Sequence, residues 1–238
     1  MPGKTRGMGG KRGVITEFTD QARFRLLHVI KNCELDFRSM ATITYPAEFP
    51  MSGRIAKRHL NAFTVALRRR FPGISGIWFL EFQRRGAPHF HIMLNLDLAD
   101  HGPIVERTRK HRNGTSRTFQ TVQSVHEWIS QTWFRIVGSG DKKHLRAGSS
   151  WEVIEHEEGA LRYGAAHAAK PFQKEVPEGF ADVGRFWGSL GEVRIPSPEI
   201  DPITPEELVY LLGYDAVVSS KSRVKKYLWD ATTKTEKP

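Results

Sequence analysis

The spacing of apolar positions changes several times along this chain, and each change predicts an element. Between Thr19 and Lys31, apolar residues fall near helical spacing at Phe24, Leu27 and Ile30 behind a capping threonine, which predicts an amphipathic helix. Ser39 to Tyr45 predicts a strand. From Ser52 to Phe71 the apolar positions Ile55, Leu60, Phe63, Ala66 and Leu67 predict a long helix, with Arg68, Arg69 and Arg70 in its last turn, where cations suit the helix dipole. Ile77 to Phe82 is a strand, Arg84 to Pro88 supplies turn residues, and the apolar run starting at His89 is a second strand, so the two form an antiparallel hairpin.

Residues 97–118 are polar and rich in Gly, Asn, Arg and Lys, and they predict a mobile loop. Val122, Val125, Ile129, Trp133 and Ile136 then line one side of a second long helix from Thr121 to Val137. Trp151 to Ile154 is a short strand. Glu157 to Lys170 is a helix closed by Pro171, since proline disfavours helical geometry in the residue before it. Gly184 to Gly188 is a last strand or turn of the core. Beyond the prolines at 196, 198, 202 and 205, Pro205–Leu212 and Lys221–Trp229 predict two C-terminal helices. The order strand, helix, hairpin, helix, strand, helix, strand predicts an α+β fold, with helices packed on an antiparallel sheet of about five strands. Three segments follow: a disordered basic tail at 1–13, a main domain at 14–196 and a helical extension at 197–238.

The central hairpin carries the candidate chemistry. Successive strand side chains alternate faces, so His89 and His91 share one face while Phe90 and Ile92 take the other. A His-x-His pair alone is more often structural than a ligand pair. Glu81 changes the balance: opposite His89 or His91 it joins their face, and a one-residue slip turns it away. A strand otherwise made of Trp78, Phe79, Leu80 and Phe82 has little reason to bury a carboxylate unless a cation offsets its desolvation. Glu81, His89 and His91 are therefore the predicted ligands of one divalent metal ion, and imidazole donors favour Mn2+ or a softer ion over Mg2+.

Composition narrows the setting. The single Cys33 leaves neither an internal disulfide framework nor a multi-cysteine zinc site, and no apolar run approaches a membrane span, so a cytoplasmic protein with no membrane partner is expected. A net charge of +10 points to an acidic partner, nucleic acid first. Basic residues cluster at Arg68–Arg70, Arg84–Arg85, Arg107 to Arg117, Lys142 to Arg146 and Lys221 to Lys226.

Glu81-Phe-Gln-Arg-Arg-Gly-Ala-Pro-His89-Phe-His91 closely resembles the second motif of HUH endonucleases of the rolling-circle replication initiator type. Met40-Ala-Thr-Ile-Thr-Tyr-Pro46 is similar to that family's first motif, and Tyr163 to Lys170 to its third. The resemblance implies a five-stranded antiparallel sheet with flanking helices, Mg2+ or Mn2+ at Glu81, His89 and His91, and Tyr163 as nucleophile. It also implies a 5′-phosphotyrosine intermediate with release of a 3′-hydroxyl. Offsets of four and seven put His167 and Lys170 on the Tyr163 face of a helix, and His167 stands where some members carry a second tyrosine. The implied activity is nicking and joining of single-stranded DNA or an origin hairpin, to initiate replication of a plasmid or phage-like element with a host helicase. A transposase or mobilisation relaxase shares this chemistry, and a noncatalytic nucleic-acid-binding protein would share the fold. Sequence recognition is expected from residues 105–117 and from Arg84 and Arg85.

The charge distribution generates a first prediction. Binding of a single-stranded oligonucleotide should weaken steeply with salt, the logarithmic slope falling by roughly 0.7 for each phosphate contacted. Fluorescence anisotropy across a salt series measures it, and a flat response would rule out nucleic acid as the partner behind the charge.

Overall fold

A computed structural model describes residues 15–110, 114–154 and 175–195. The first helix, α1 (Asp20–Asn32), starts at Thr19, whose side chain accepts a hydrogen bond from the Ala22 N–H, and it buries Leu26, Leu27 and Ile30. The strands β1 (Ser39–Thr44), β2 (Gly76–Phe82), β3 (Pro88–Leu94), β6 (Ser149–Val153) and β7 (Trp187–Leu190) form one antiparallel sheet in the order β6-β1-β3-β2-β7. The predicted α+β architecture with a five-stranded sheet is the one observed. The central strand, β3, is the one bearing both candidate histidines.

Register divides the sheet into two unlike faces. Trp151, Ala41, Ile92 and Trp78 are cross-strand partners and so share one face. That face is covered by α2 (Gly53–Arg70) and α3 (Gln123–Val137), both amphipathic as their apolar spacing predicts. Phe63 of α2 is fully buried with its ring 5.9 Å from that of Trp133, and Phe71 meets Trp151 edge-on at 5.4 Å. Burial of each such aromatic side chain contributes about 1.5–3 kcal/mol. The other face carries the polar set: Thr44, His89 and Glu81 form one row, and Ser150, Thr42, His91 and Phe79 form the next.

The end of β1 is fixed from the helical side. The Thr44 carbonyl accepts from Trp133 Nε1 at 2.5 Å and from His144 Nε2 at 2.9 Å, while His144 Nδ1 accepts from the Ser139 hydroxyl at 2.8 Å. His144 belongs to α4 (Lys142–Ala147), a six-residue helix holding the Lys142 to Arg146 cluster.

The described residues of the 97–118 segment are not a loop. They form a 3-10 turn (Leu98–His101) and then an antiparallel hairpin of β4 (Ile104–Lys110) and β5 (Ser116–Val122). Arginines at inward positions conceal its alternation from a hydrophobic reading. Arg109 donates to the Ser149 carbonyl at 2.9 Å, Arg117 pairs with buried Glu152 at 2.7 Å, and Arg107 donates to the Gln123 side chain at 2.7 Å. The hairpin is therefore held to the β6 edge and to α3 by charge and hydrogen bonding together with burial of Phe119 and Val122.

The predicted tail at 1–13, the helix at 157–170 and the extension at 197–238 lie outside the described residues. Among the described residues no helix is long and apolar enough to cross a membrane.

Docking of the hairpin generates a prediction about acid. Burial, with Arg107 and Arg109 adding repulsion, pushes the pKa of His126 down to about 4. Burial lowers His59 and His144 as well. A group depressed on folding makes the unfolded chain bind more protons, so its contribution is present above about pH 6.5 and is lost as pH falls toward 4. The urea midpoint should drop between pH 7 and 5, and less so in His126→Leu. Equal drops in both proteins would remove His126 as a source of the acid sensitivity.

Candidate metal centre

The hairpin turn sets the register on which the site depends. The Gln83 N–H donates to the Ala87 carbonyl at 2.9 Å and the Gly86 N–H to Gln83 at 2.7 Å. Gly86 takes φ 82°, a left-handed conformation that a side chain would strain. The turn places Glu81 directly opposite His89, with Phe79 opposite His91. Of the two registers open to the sequence, this is one that turns Glu81 toward the histidines.

Glu81 is 1% exposed and His91 4% exposed, while His89 is half-buried. His91 Nε2 lies 3.3 Å from Glu81 Oε2. The His89 and His91 rings meet edge to face at 4.5 Å, and Phe79 stacks on His91 at 5.2 Å. Glu81 and His91 are thus in contact and His89 stands beside them on the same face. Among the described residues, however, no three His, Cys, Asp or Glu side chains stand together at full ligand spacing.

The donor set fits a divalent cation. One carboxylate and two imidazoles converge on one side of two paired strands, and a carboxylate this deeply placed calls for a compensating positive charge. Glu81, His89 and His91 are the residues that would hold such an ion.

Thr42 is a member of the site that sequence reasoning missed. Its Oγ1 lies 3.2 Å from His91 Nδ1 across the β1–β3 pair, where the two residues are direct partners. A hydroxyl both donates and accepts. With the proton on Nε2, the Thr42 hydroxyl donates to Nδ1. With the proton on Nδ1, His91 donates to Thr42 and its Nε2 lone pair is left for a cation. Thr42 accommodates either tautomer, including the one that a metal ligand requires. The alternation of β1 puts Thr42 and Thr44 on one face, but only the nonlocal pairing of β1 with β3 reveals which of them meets His91.

Other candidates fall differently. Tyr45 is 2% exposed, its hydroxyl is 3.1 Å from His59 Nδ1, and burial raises its pKa far above the ordinary phenol range, which unsuits it to nucleophilic attack. Arg85 donates to the Tyr45 carbonyl at 2.5 Å and to those of Pro46 and Ala47, and lies over the Phe49 ring, so it clamps the loop after β1 to the hairpin turn. Arg84 beside it is exposed. Tyr163, His167 and Lys170 lie outside the described residues.

The family model described as replication-associated protein ORF2/G2P matches residues 38–168, more than half of the chain. The match takes in the first strand, the Glu81–His91 hairpin, Tyr163 and His167, and it ends before Lys170. No curated protein and no solved structure matches.

Calorimetric titration with MnCl2 tests the centre. The parent chain should bind one equivalent, and Glu81→Gln should abolish that uptake. Thr42→Val should weaken it by roughly 10–100-fold, the usual loss when a group orienting a metal-binding imidazole is removed. Thr42→Val binding Mn2+ as tightly as the parent would separate Thr42 from the site.

Proposed function

The chain belongs to the replication-associated protein ORF2/G2P family, and from that premise we propose that it is a metal-dependent single-strand DNA endonuclease and strand-transferase. In this reading it nicks an origin through a 5′-phosphotyrosine intermediate and so initiates rolling-circle replication of a plasmid or phage-like element. The observation that supports the reading most is the buried Glu81–His91 contact at 3.3 Å, with His89 on the same face, inside the segment that matches the family.

Nicking is an exchange of one phosphoester for another. The Tyr163 phenolic oxygen attacks phosphorus, the bond from phosphorus to O3′ breaks, the phenolic proton passes to a base, and the departing O3′ takes a proton to become a 3′-hydroxyl. The new phosphotyrosine keeps a diester in which a later 3′-hydroxyl replaces Tyr163 and restores the strand. Glu81, His89 and His91 would hold a divalent ion, which would supply neutralising charge to the phosphate. Tyrosine, with a reference pKa of about 10, is mostly protonated near neutrality and needs assistance to attack. Lys170, two helical turns along the predicted helix, serves by pairing with the phosphate. His167 lies between them as an accessory proton acceptor or positioning group, because attack by imidazole itself would give a labile phosphoramidate.

A labelled single-stranded oligonucleotide library incubated with Mn2+ tests the proposal. The parent should form a covalent adduct and Tyr163→Phe should form none while keeping its fold. His167→Ala should slow adduct formation, and Lys170→Ala should slow it more, on the order of 10²-fold. Mass spectrometry that found the nucleotide on His167 or on another tyrosine would overturn the assignment of Tyr163.

A further inference from the structure

Helix α2 contributes little to the polar face of the sheet, yet it is the most basic element described. Over Gly53–Arg70 it has Arg54, Lys57, Arg58, Arg68, Arg69 and Arg70 and no Asp or Glu. The dipole accounts for arginines in the last turn only; Arg54, Lys57 and Arg58 lie in the first turns, where a helix disfavours cations. Lys57 is used inside, with its ammonium 4.9 Å from the Trp78 ring and 5.2 Å from that of Phe90. Arg54 leans on Asp182 at 3.1 Å, and Arg70 lies over Phe71. Arg58, Arg68 and Arg69 are exposed and make no ion pair among the described residues. Glu192, the acidic residue lining the groove beside Arg68 and Arg69, is paired with Arg194 at 2.8 Å.

The arrangement has a second feature. The exposed arginines fall in two groups, 54/58 and 68–70, and between them the exposed residues are Asn61 and Ala62, short and uncharged. At 1.5 Å per residue, Arg58 and Arg68 stand about 15 Å apart along the axis. A strand presents a phosphate about every 3.4 Å along a duplex, so a track for one strand would be served by evenly spaced cations. Two groups bracketing a bare stretch instead match the two phosphate rows bordering a major groove about 12 Å wide.

We propose that the exposed face of α2 binds duplex DNA across a groove, on the side of the sheet opposite Glu81, His89 and His91. The inference rests on the reading of the chain as a DNA-nicking protein, and it gives that protein a second, nonspecific seat for double-stranded DNA. The N-terminal end of α2 follows β1, so Arg54 and Arg58 lie toward the sheet end that holds Glu81 and His89, while Arg68 to Arg70 lead into β2 at the far end. Duplex seated on this helix runs from the site end of the sheet toward its far end.

The test compares a labelled duplex of two helical turns with one of its own strands, by anisotropy over a salt series, using the full chain and its Arg58→Glu/Arg69→Glu variant. Duplex affinity should fall about tenfold or more and the salt slope by roughly 2, with single-strand affinity much less affected. Arg58→Gln/Arg69→Gln should show the same preference to a smaller degree, and it carries the comparison if the reversed variant does not fold. Unchanged duplex affinity, equal losses on duplex and single strand, or a loss confined to the glutamate variant would each overturn the proposal. Adduct formation on single strands is followed in parallel: parent protein that forms none, while the duplex loss holds, sinks the nicking reading and leaves this one standing.

Discussion

A carboxylate buried in an aromatic strand is the constraint from which the rest follows. Glu81 is 1% exposed on a strand whose neighbours are Phe79, Leu80 and Phe82. A buried carboxylate left without a compensating partner is strongly destabilising, so a Glu81 deprived of one would unsettle the sheet at its centre. Its contact with His91, and the place of His89 directly opposite, make the β2–β3 register matter beyond packing. A slip by one residue would carry the carboxylate to the face covered by α2 and α3, away from both histidines and in among Phe63, Trp133 and Trp151.

The rest of the fold is arranged to hold that register. Arg85 ties the hairpin turn to the backbone after β1, and Trp133 with His144 ties the last residue of β1 to the helical layer. These two attachments act at the same end of the sheet as Glu81 and His89. They fix β1 against β3, which is what brings Thr42 to His91 Nδ1. One face of the sheet packs against the two long helices, while on the other the polar rows at the site end give way to buried Met40, Met93 and Ile77. The family match, which begins at residue 38 and so includes all of β1, spans this whole arrangement.

Much of this was legible in the sequence, for reasons that differ by element. The two long helices were readable because Leu60, Phe63 and Leu67, or Val125, Ile129 and Trp133, repeat at helical spacing and are the residues that end up buried. That Glu81 shares a face with His89 and His91 was readable because the turn is short and side chains alternate strictly, whereas which histidine it opposes came only from the register. The β4–β5 hairpin was not readable, because Arg109 and Arg117 interrupt its apolar pattern and their partners, Ser149 and Glu152, lie far along the chain. The clamp made by Arg85 was hidden for the same reason: the carbonyls it serves lie forty residues earlier. Thr42 had no visible role, since its partner is set by the pairing of strands separated by a helix and a third strand. Tyr163, His167 and Lys170 remain a reading of spacing and resemblance.

The account turns on one ion sharing Glu81, His89 and His91. Electron spin-echo spectroscopy of the Mn2+-loaded protein tests it most directly, because imidazole nitrogens bound to manganese modulate the echo. The account predicts couplings from two imidazoles in the parent, and from one in His89→Gln and in His91→Gln. Bound manganese with no imidazole coupling, or with couplings that survive both substitutions, would contradict it.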